Sequence, residues 1–379
     1  MSHPSKFTFV FIIFLLLGIS QTAKGQDELS LKLNKANSMI YSDPATSIMI
    51  ANEVSENSPE NSGLQLSALI VLGAAYSEKF DIERSIQSLL KAQKIAEQRK
   101  DHVNQVRALS LLGYQYQILQ INDKTHRYLD QAEEITNKHG LPDSLLYLRG
   151  NNYSIKALMY QETLDCDYAV EYFNKAITIY KKIKNNDVAK TNLCIGYLNK
   201  SLCFIENKNA DSAKVSLLKS DEIIKQMKLT DDVEISQQIA WAKYHKLNKN
   251  HKTSIGILDK NLEKAKKLSQ LGLDVEIYQL LSQNYLALDD IPQYDHYSNL
   301  YTETKKKFSD KEKKSITHMI NKPIKKARSE RFSFSENKLY LILIVLILII
   351  SFILIFSVKS YRLNKKIKDL KSNHDLESK

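Results

Sequence analysis

The chain has 379 residues, with 54 Lys and Arg against 43 Asp and Glu, a formal charge of +11, and only 10 Gly and 6 Pro. Gly and Pro make up about 4% of it, against roughly 12% in average proteins, and hairpins, bulges and tight loops need them. Sandwiches, barrels, propellers and Pro-rich disorder are therefore disfavoured, leaving a helical protein long enough for two ordinary domains or one repeat array. The charge is unevenly placed: +2 in 1–25, +7 in 302–338 and +4 in 359–379, which leaves −2 for 26–301. A nucleic-acid surface would make the body of the protein basic, so no direct nucleic-acid partner is expected.

Residues 7–19 are an apolar run of 13, preceded by Lys6 and followed by Ala23-Lys24-Gly25. The run is short for a bilayer span and carries small residues at a cleavage position, the pattern of a secretory signal peptide over 1–25. A buried core helix is the competing reading. No Cys stands at the cleavage position, so a lipid anchor is not indicated.

From 26 to 301, apolar helical patterns alternate with short polar breaks, and one pattern recurs. Its clearest copy is Leu69, Leu72-Gly73, Tyr76, then Ser85, Leu89, Ala92. The next is Leu109, Leu112-Gly113, Tyr116, then Thr125, Leu129, Ala132. A third reads Tyr153, Ala157, Tyr160, then Ala169, Phe173, Ala176; a fourth has Tyr197, Ser201, Phe204, then Ala213, Leu217, Ser220. Trp241-Ala242 with Ser254, and Tyr278 to Tyr285 with Tyr294, give two more, after a looser opening unit at 27–57. Turn signals at Asn57-Ser58-Pro59, Gly140-Leu141-Pro142, Asn185-Asn186 and Asp231-Asp232 fall between the units.

The pattern resembles the tetratricopeptide repeat (TPR) over about 275 residues. The spacing of the small residues, 40, 44, 44, 41 and 40, exceeds the usual 34, and the family's Pro after the second helix is replaced by Glu97 and Asn137. The expectation is an all-α, TPR-like solenoid of about seven helical hairpins. Gly73, Gly113 and Ala157 at one crossing and Ser85, Ala169 and Ala213 at the other allow close approach, Tyr76, Tyr116, Tyr160, Phe204 and Tyr285 fill the gap to the next hairpin, and Ala92, Ala132, Phe173 and Ala176 complete the repeat packing. The resemblance also implies a concave groove lined by first helices. Its expected partner-binding positions are Arg107, Tyr114, Gln117, Asn151, Ser154, Gln161, Lys243, Lys246, Gln279 and Gln283, whose amides and charges suit a protein or peptide ligand.

Residues 302–338 read as a charged capping helix and linker whose basic groups would touch anionic lipid. Residues 339–358 are 20 uncharged, mostly Leu, Ile, Val and Phe residues, the composition of a transmembrane helix. Six Lys/Arg lie on each side, so charge alone sets no orientation. Combined with a signal peptide, the expectation is a single-pass inner-membrane protein with a periplasmic solenoid and a cytoplasmic tail at 359–379. That tail, with Leu363, Ile367 and Leu370 at helical spacing, could pair two copies as a short coiled coil.

Cys166, Cys194 and Cys203 make no disulfide framework and are read as buried free thiols. The His residues form no HExxH and pair with no Cys at ligand spacing; His102, His126 and His139 read as solvated hairpin ends. There is no GxGxxG, no P-loop and no nucleophile elbow, so neither enzyme activity nor a cofactor is expected. The layout resembles bacterial TPR-containing single-span membrane regulators. Two functions follow: an extracytoplasmic interaction module, scaffold or sensor; or the sensory part of a truncated regulator. A helix-turn-helix output domain needs roughly 50–60 residues, more than follow the apolar run.

Overall fold

A computed structural model describes residues 26–268 and 270–310, together with 313, 352, 354 and 356–360. The chain divides into two compact units, Met1–Ile316 and Thr317–Lys379. In the first, helices follow one another as α1 (26–38), α2 (Pro44–Asn57), α3 (Gly63–Glu78), α4 (Ile82–Arg99), α5 (His102–Ile118), α6 (Asn122–His139), α7 (Tyr147–Thr163) and α8 (Cys166–Lys182). Then come α9 (Asp187–Glu206), α10 (Ala210–Gln226), α11 (Asp231–Leu247), α12 (His251–Leu268), α13 (Leu271–Ala287) and α14 (291–310), with a 3-10 turn at Asp143–Leu145 before α7. The described residues contain no strand. Consecutive pairs are antiparallel hairpins, so the chain is an all-α helical-repeat solenoid.

Local chemistry starts the helices. Asp43, Ser62, Asp81, Asp101, Asp165, Asn186 and Asn209 each accept a hydrogen bond from a backbone N–H in the first turn they precede. The turns inside hairpins are equally regular. Phe80, Gln120, Lys208, Lys249 and Asp289 adopt φ between 55° and 60°, and the N–H of the following residue reaches back to the carbonyl of Tyr76, Tyr116, Phe204, His245 or Tyr285. This is the Schellman arrangement. The recurrent aromatic therefore closes its helix as well as packing beside it.

The small residues stand at the helix crossings. A β-carbon on Gly73 would lie 2.5 Å from Leu89 Cγ, and one on Gly113 would lie 2.6 Å from Leu129 Cδ2. Ala92, Ala132, Ala157, Ala169, Ala176 and Ala213 are fully buried, as is Phe173. The hydroxyls of Ser47, Ser85 and Ser254 donate to the Ala36, Gly73 and Ala242 carbonyls at 2.7, 2.7 and 2.8 Å, tying each second helix to the first. The aromatic positions pair across their own hairpin: Tyr116 stacks on Tyr128 at 5.4 Å, Tyr160 meets Tyr172 at 4.9 Å, and Tyr285 stacks on Tyr297 at 5.6 Å. Tyr76 is buried with Arg84 over its ring. The three cysteines are buried and free.

One expectation is corrected. Among the described residues no helix is long and apolar enough to cross a membrane. That overturns the single-pass inner-membrane placement with a periplasmic solenoid and a cytoplasmic tail. Crossing requires a continuous apolar helix of about 20 residues, and no described helix meets that requirement. The signal peptide expected at 1–25 and most of the apolar run, the basic linker and the tail lie outside the described residues, as do the lipid and tail–tail contacts expected of them.

Candidate functional site

Along the solenoid the first helices α3, α5, α7, α9, α11 and α13 each touch the next. Much of the polar chemistry expected on this face is used between them. Gln117 donates to Glu162 on α7, and Gln161 to Glu206 on α9, both at 3.3 Å. Asn151 accepts from Asn192 on α9 at 2.8 Å and from the Tyr180 hydroxyl at 2.9 Å, and Ser154 lies 3.1 Å from that hydroxyl. Lys243 pairs with Glu276, and Lys246 donates to Gln283, joining α11 to α13. Burial, followed by repulsion from Lys243, holds Lys246 below the ordinary lysine range. Arg107 reaches Asn104 on its own helix at 3.2 Å, and Gln279 is half-buried on α13. These residues form a ladder that holds successive hairpins in register.

Tyr114 behaves differently. It converges with Tyr41 from the α1–α2 turn, Glu78 at the end of α3, Tyr147 at the start of α7 and Asp232 in the first turn of α11. Burial, then the Glu78 charge, Tyr147 and Asp232, push the Tyr41 phenol up to about 12. Burial, then Glu78 and Tyr41, push Tyr114 up to about 12. Burial, then the Asp232 carboxylate, raise Glu78 to about 7. Yet Tyr41 remains 69% accessible to water. Tyr41 is thus open to water while charged and phenolic groups of other hairpins act on it. Five hairpins contribute to this one place, which is why the sequence, read hairpin by hairpin, flags only Tyr114.

Two carboxylates here have no basic partner among the described residues, and the phenols of Tyr41, Tyr114 and Tyr147 make no hydrogen bond there. Such a surface can accept hydrogen bonds, offer aromatic faces to a cation and stabilise a positive charge. Other clusters are internally satisfied. Lys156 bridges Asp130 and Glu133 at 2.9 and 2.8 Å; burial alone would lower its pKa, but bonds to those carboxylates hold it above the ordinary range. This consumes two of the acids around a shallow hollow of about 610 Å³ on α6. Cys166 donates to Glu206 at 3.2 Å, and burial, together with Cys203 and that carboxylate, raises the thiol far above its usual range. His102 and His139 stack at 3.6 Å, with His139 exposed as expected and His102 half-buried. Among the described residues no group of three His, Cys, Asp or Glu side chains could hold a metal ion.

Fold and site define the class: a TPR-like helical-repeat protein whose first helices touch in succession. No protein-family model matches the chain, and no curated protein does. Solved structures do resemble it. The Rap conjugation gene regulator of plasmid pLS20, in complex with the Phr* peptide, superposes with a TM-score of 0.61 at 14% identity, over 76% of this chain and 77% of that one. NprR in complex with its cognate peptide NprX gives 0.55 at 14% identity, over 81% and 93%. The apo form of RapI gives 0.52 at 13% identity, over 75% and 99%. At these identities the likeness is one of fold.

Proposed function

We propose that the chain is a peptide-binding regulatory module whose concave surface receives an extended peptide carrying a positive charge. The observation that carries this reading is the convergence of Tyr41, Glu78, Tyr114, Tyr147 and Asp232 from five hairpins, with no internal partner for either acid. Two of the structures that resemble the chain are complexes with a peptide, which supports the reading. Ordinary surface acids are solvated or paired; here Glu78 is desolvated and faces a like charge, so a ligand ammonium or guanidinium would relieve both penalties. The ladder residues Gln117, Gln161, Lys243 and Lys246 would hold the groove open and add backbone contacts at its rim.

The test is selection from a random short-peptide library on the purified full chain. Selected peptides should be enriched in Lys, Arg or a free amino terminus. Glu78→Gln with Asp232→Asn should weaken them by at least about tenfold, the scale of one lost charge-assisted contact. Selection of no peptide, or of peptides indifferent to both substitutions, would remove the proposal.

A further inference from the structure

We propose that Phe80 and Phe308 form a clasp that closes the last hairpin of the solenoid onto the second and so regulates entry to the groove. The consequence for entry rests on the peptide reading; the clasp itself rests on geometry. The two rings meet edge to face, with centroids 6.3 Å apart and an interplanar angle of 81°. Phe80 lies in the turn between α3 and α4, and Phe308 near the end of α14. The contact therefore joins hairpins far apart along the chain.

Phe80 is also the odd member of its class. The same left-handed position in the other hairpin turns holds Gln120, Lys208, Lys249 or Asp289, all polar and exposed. A bulky aromatic is a poor occupant of that backbone region, and a solvated turn would not repay it. Phe80 has φ 55° and is half-buried, which is explained by a partner. Phe308 is similarly singular: Lys305, Lys306 and Lys307 beside it are exposed, whereas Phe308 is half-buried. Its ring also rests beside Gly272 at the start of α13, where a β-carbon would sit 3.9 Å away.

Glu78 stands two residues before Phe80, so the clasp and the acidic centre share one helix end. With the rings together, the winding of the solenoid is fastened across the concave face. A peptide chain threading into that face must await their separation. Opening the clasp should then speed both association and dissociation of a groove ligand.

Hydrogen exchange by mass spectrometry on the full chain tests this without any ligand. Phe308→Ala should speed exchange of amides in 300–310 and in 79–83 by about three- to tenfold, the population shift of one aromatic pair. Phe80→Asn keeps a residue that tolerates the left-handed turn and should give the same pair of changes from the other side. The double variant should exceed neither single variant, and α8 to α10 should keep their protection. Changes confined to the mutated segment, or additive changes in the double variant, would overturn the clasp. If the exchange results hold but no library peptide binds, the groove reading fails and the clasp stands. If peptides bind with rates indifferent to Phe308→Ala, the clasp does not regulate entry.

Discussion

At the scale of single residues, the scarce glycines are placed where a side chain has no room. Gly73 and Gly113 each face a buried leucine of the following helix, and a ring atom of Tyr180 occupies the space where Gly150 would carry a β-carbon. Gly73→Leu must displace Leu89, which is fully buried, and should cost about 1–3 kcal/mol by overpacking. Urea unfolding checks this: the midpoint should drop while the slope with denaturant stays constant. An unchanged midpoint would mean that the crossing is looser than the 2.5 Å approach indicates. Glu78 makes the second residue-scale case. Its pKa of about 7 in the folded chain lies above the ordinary 4.5, so the folded state holds the proton more tightly than the unfolded chain. Its contribution to stability is fully present below pH 4.5 and is lost as pH rises to about 7. Facing it are Asp232, Tyr41 and Tyr114, none of them a cation. Glu78→Gln should therefore match the parent near pH 5 and exceed it in Tm at pH 8. Parallel Tm profiles for the two proteins would contradict the burial of this carboxylate.

At the scale of elements, most hairpins draw on the same three devices. A side-chain cap begins the helix, a left-handed residue ends the first helix, and a small residue or hydroxyl closes the crossing. Asn209→Ala removes the cap that accepts from the Ser212 N–H at 3.1 Å and should cost about 0.5–2 kcal/mol. Loss of protection at the start of α10, with α3 to α6 unaffected, would show that the effect is local, as expected where each hairpin contacts only its neighbours. The hairpin α7–α8 departs from the pattern. Its link is only Leu164 and Asp165, without the left-handed residue, and Leu164 N–H returns directly to the Tyr160 carbonyl. The sequence shows the reason: Asp165 is itself a cap, binding both the Asp167 and Tyr168 N–H groups, so α8 starts without a spacer.

At the scale of the whole molecule, the hairpins do more than stack. The polar ladder between first helices holds the register. The winding then brings Tyr41, Glu78 and Asp232 together and lets Phe308 reach Phe80. A groove of this kind combines a fixed scaffold with a small number of unsatisfied groups at its centre, which suits recognition of a flexible ligand. Charge reinforces the separation of roles. The solenoid is nearly neutral overall, whereas an excess of basic residues falls at 302–338 and 359–379.

The sequence by itself determined the helical class, the number of hairpins and the residues at their crossings. These depend on neighbours within one repeat: a small residue opposite Leu89 or Leu129, an aromatic nine residues before a hydroxyl or alanine, a cap before most second helices. Local periodicity records such contacts directly. Only the tertiary structure decided which polar residues are spent. Gln117, Gln161, Lys243 and Lys246 read as open groove positions because their partners Glu162, Glu206, Glu276 and Gln283 lie 33 to 45 residues away, in the next repeat. The central site and the clasp were less legible still, because they join residues separated by several repeats. Their proximity is set by the accumulated rotation from one hairpin to the next, and a small change in that rotation would part them without altering any repeat pattern. The membrane placement is overturned because no helix among the described residues is long and apolar enough to cross a bilayer.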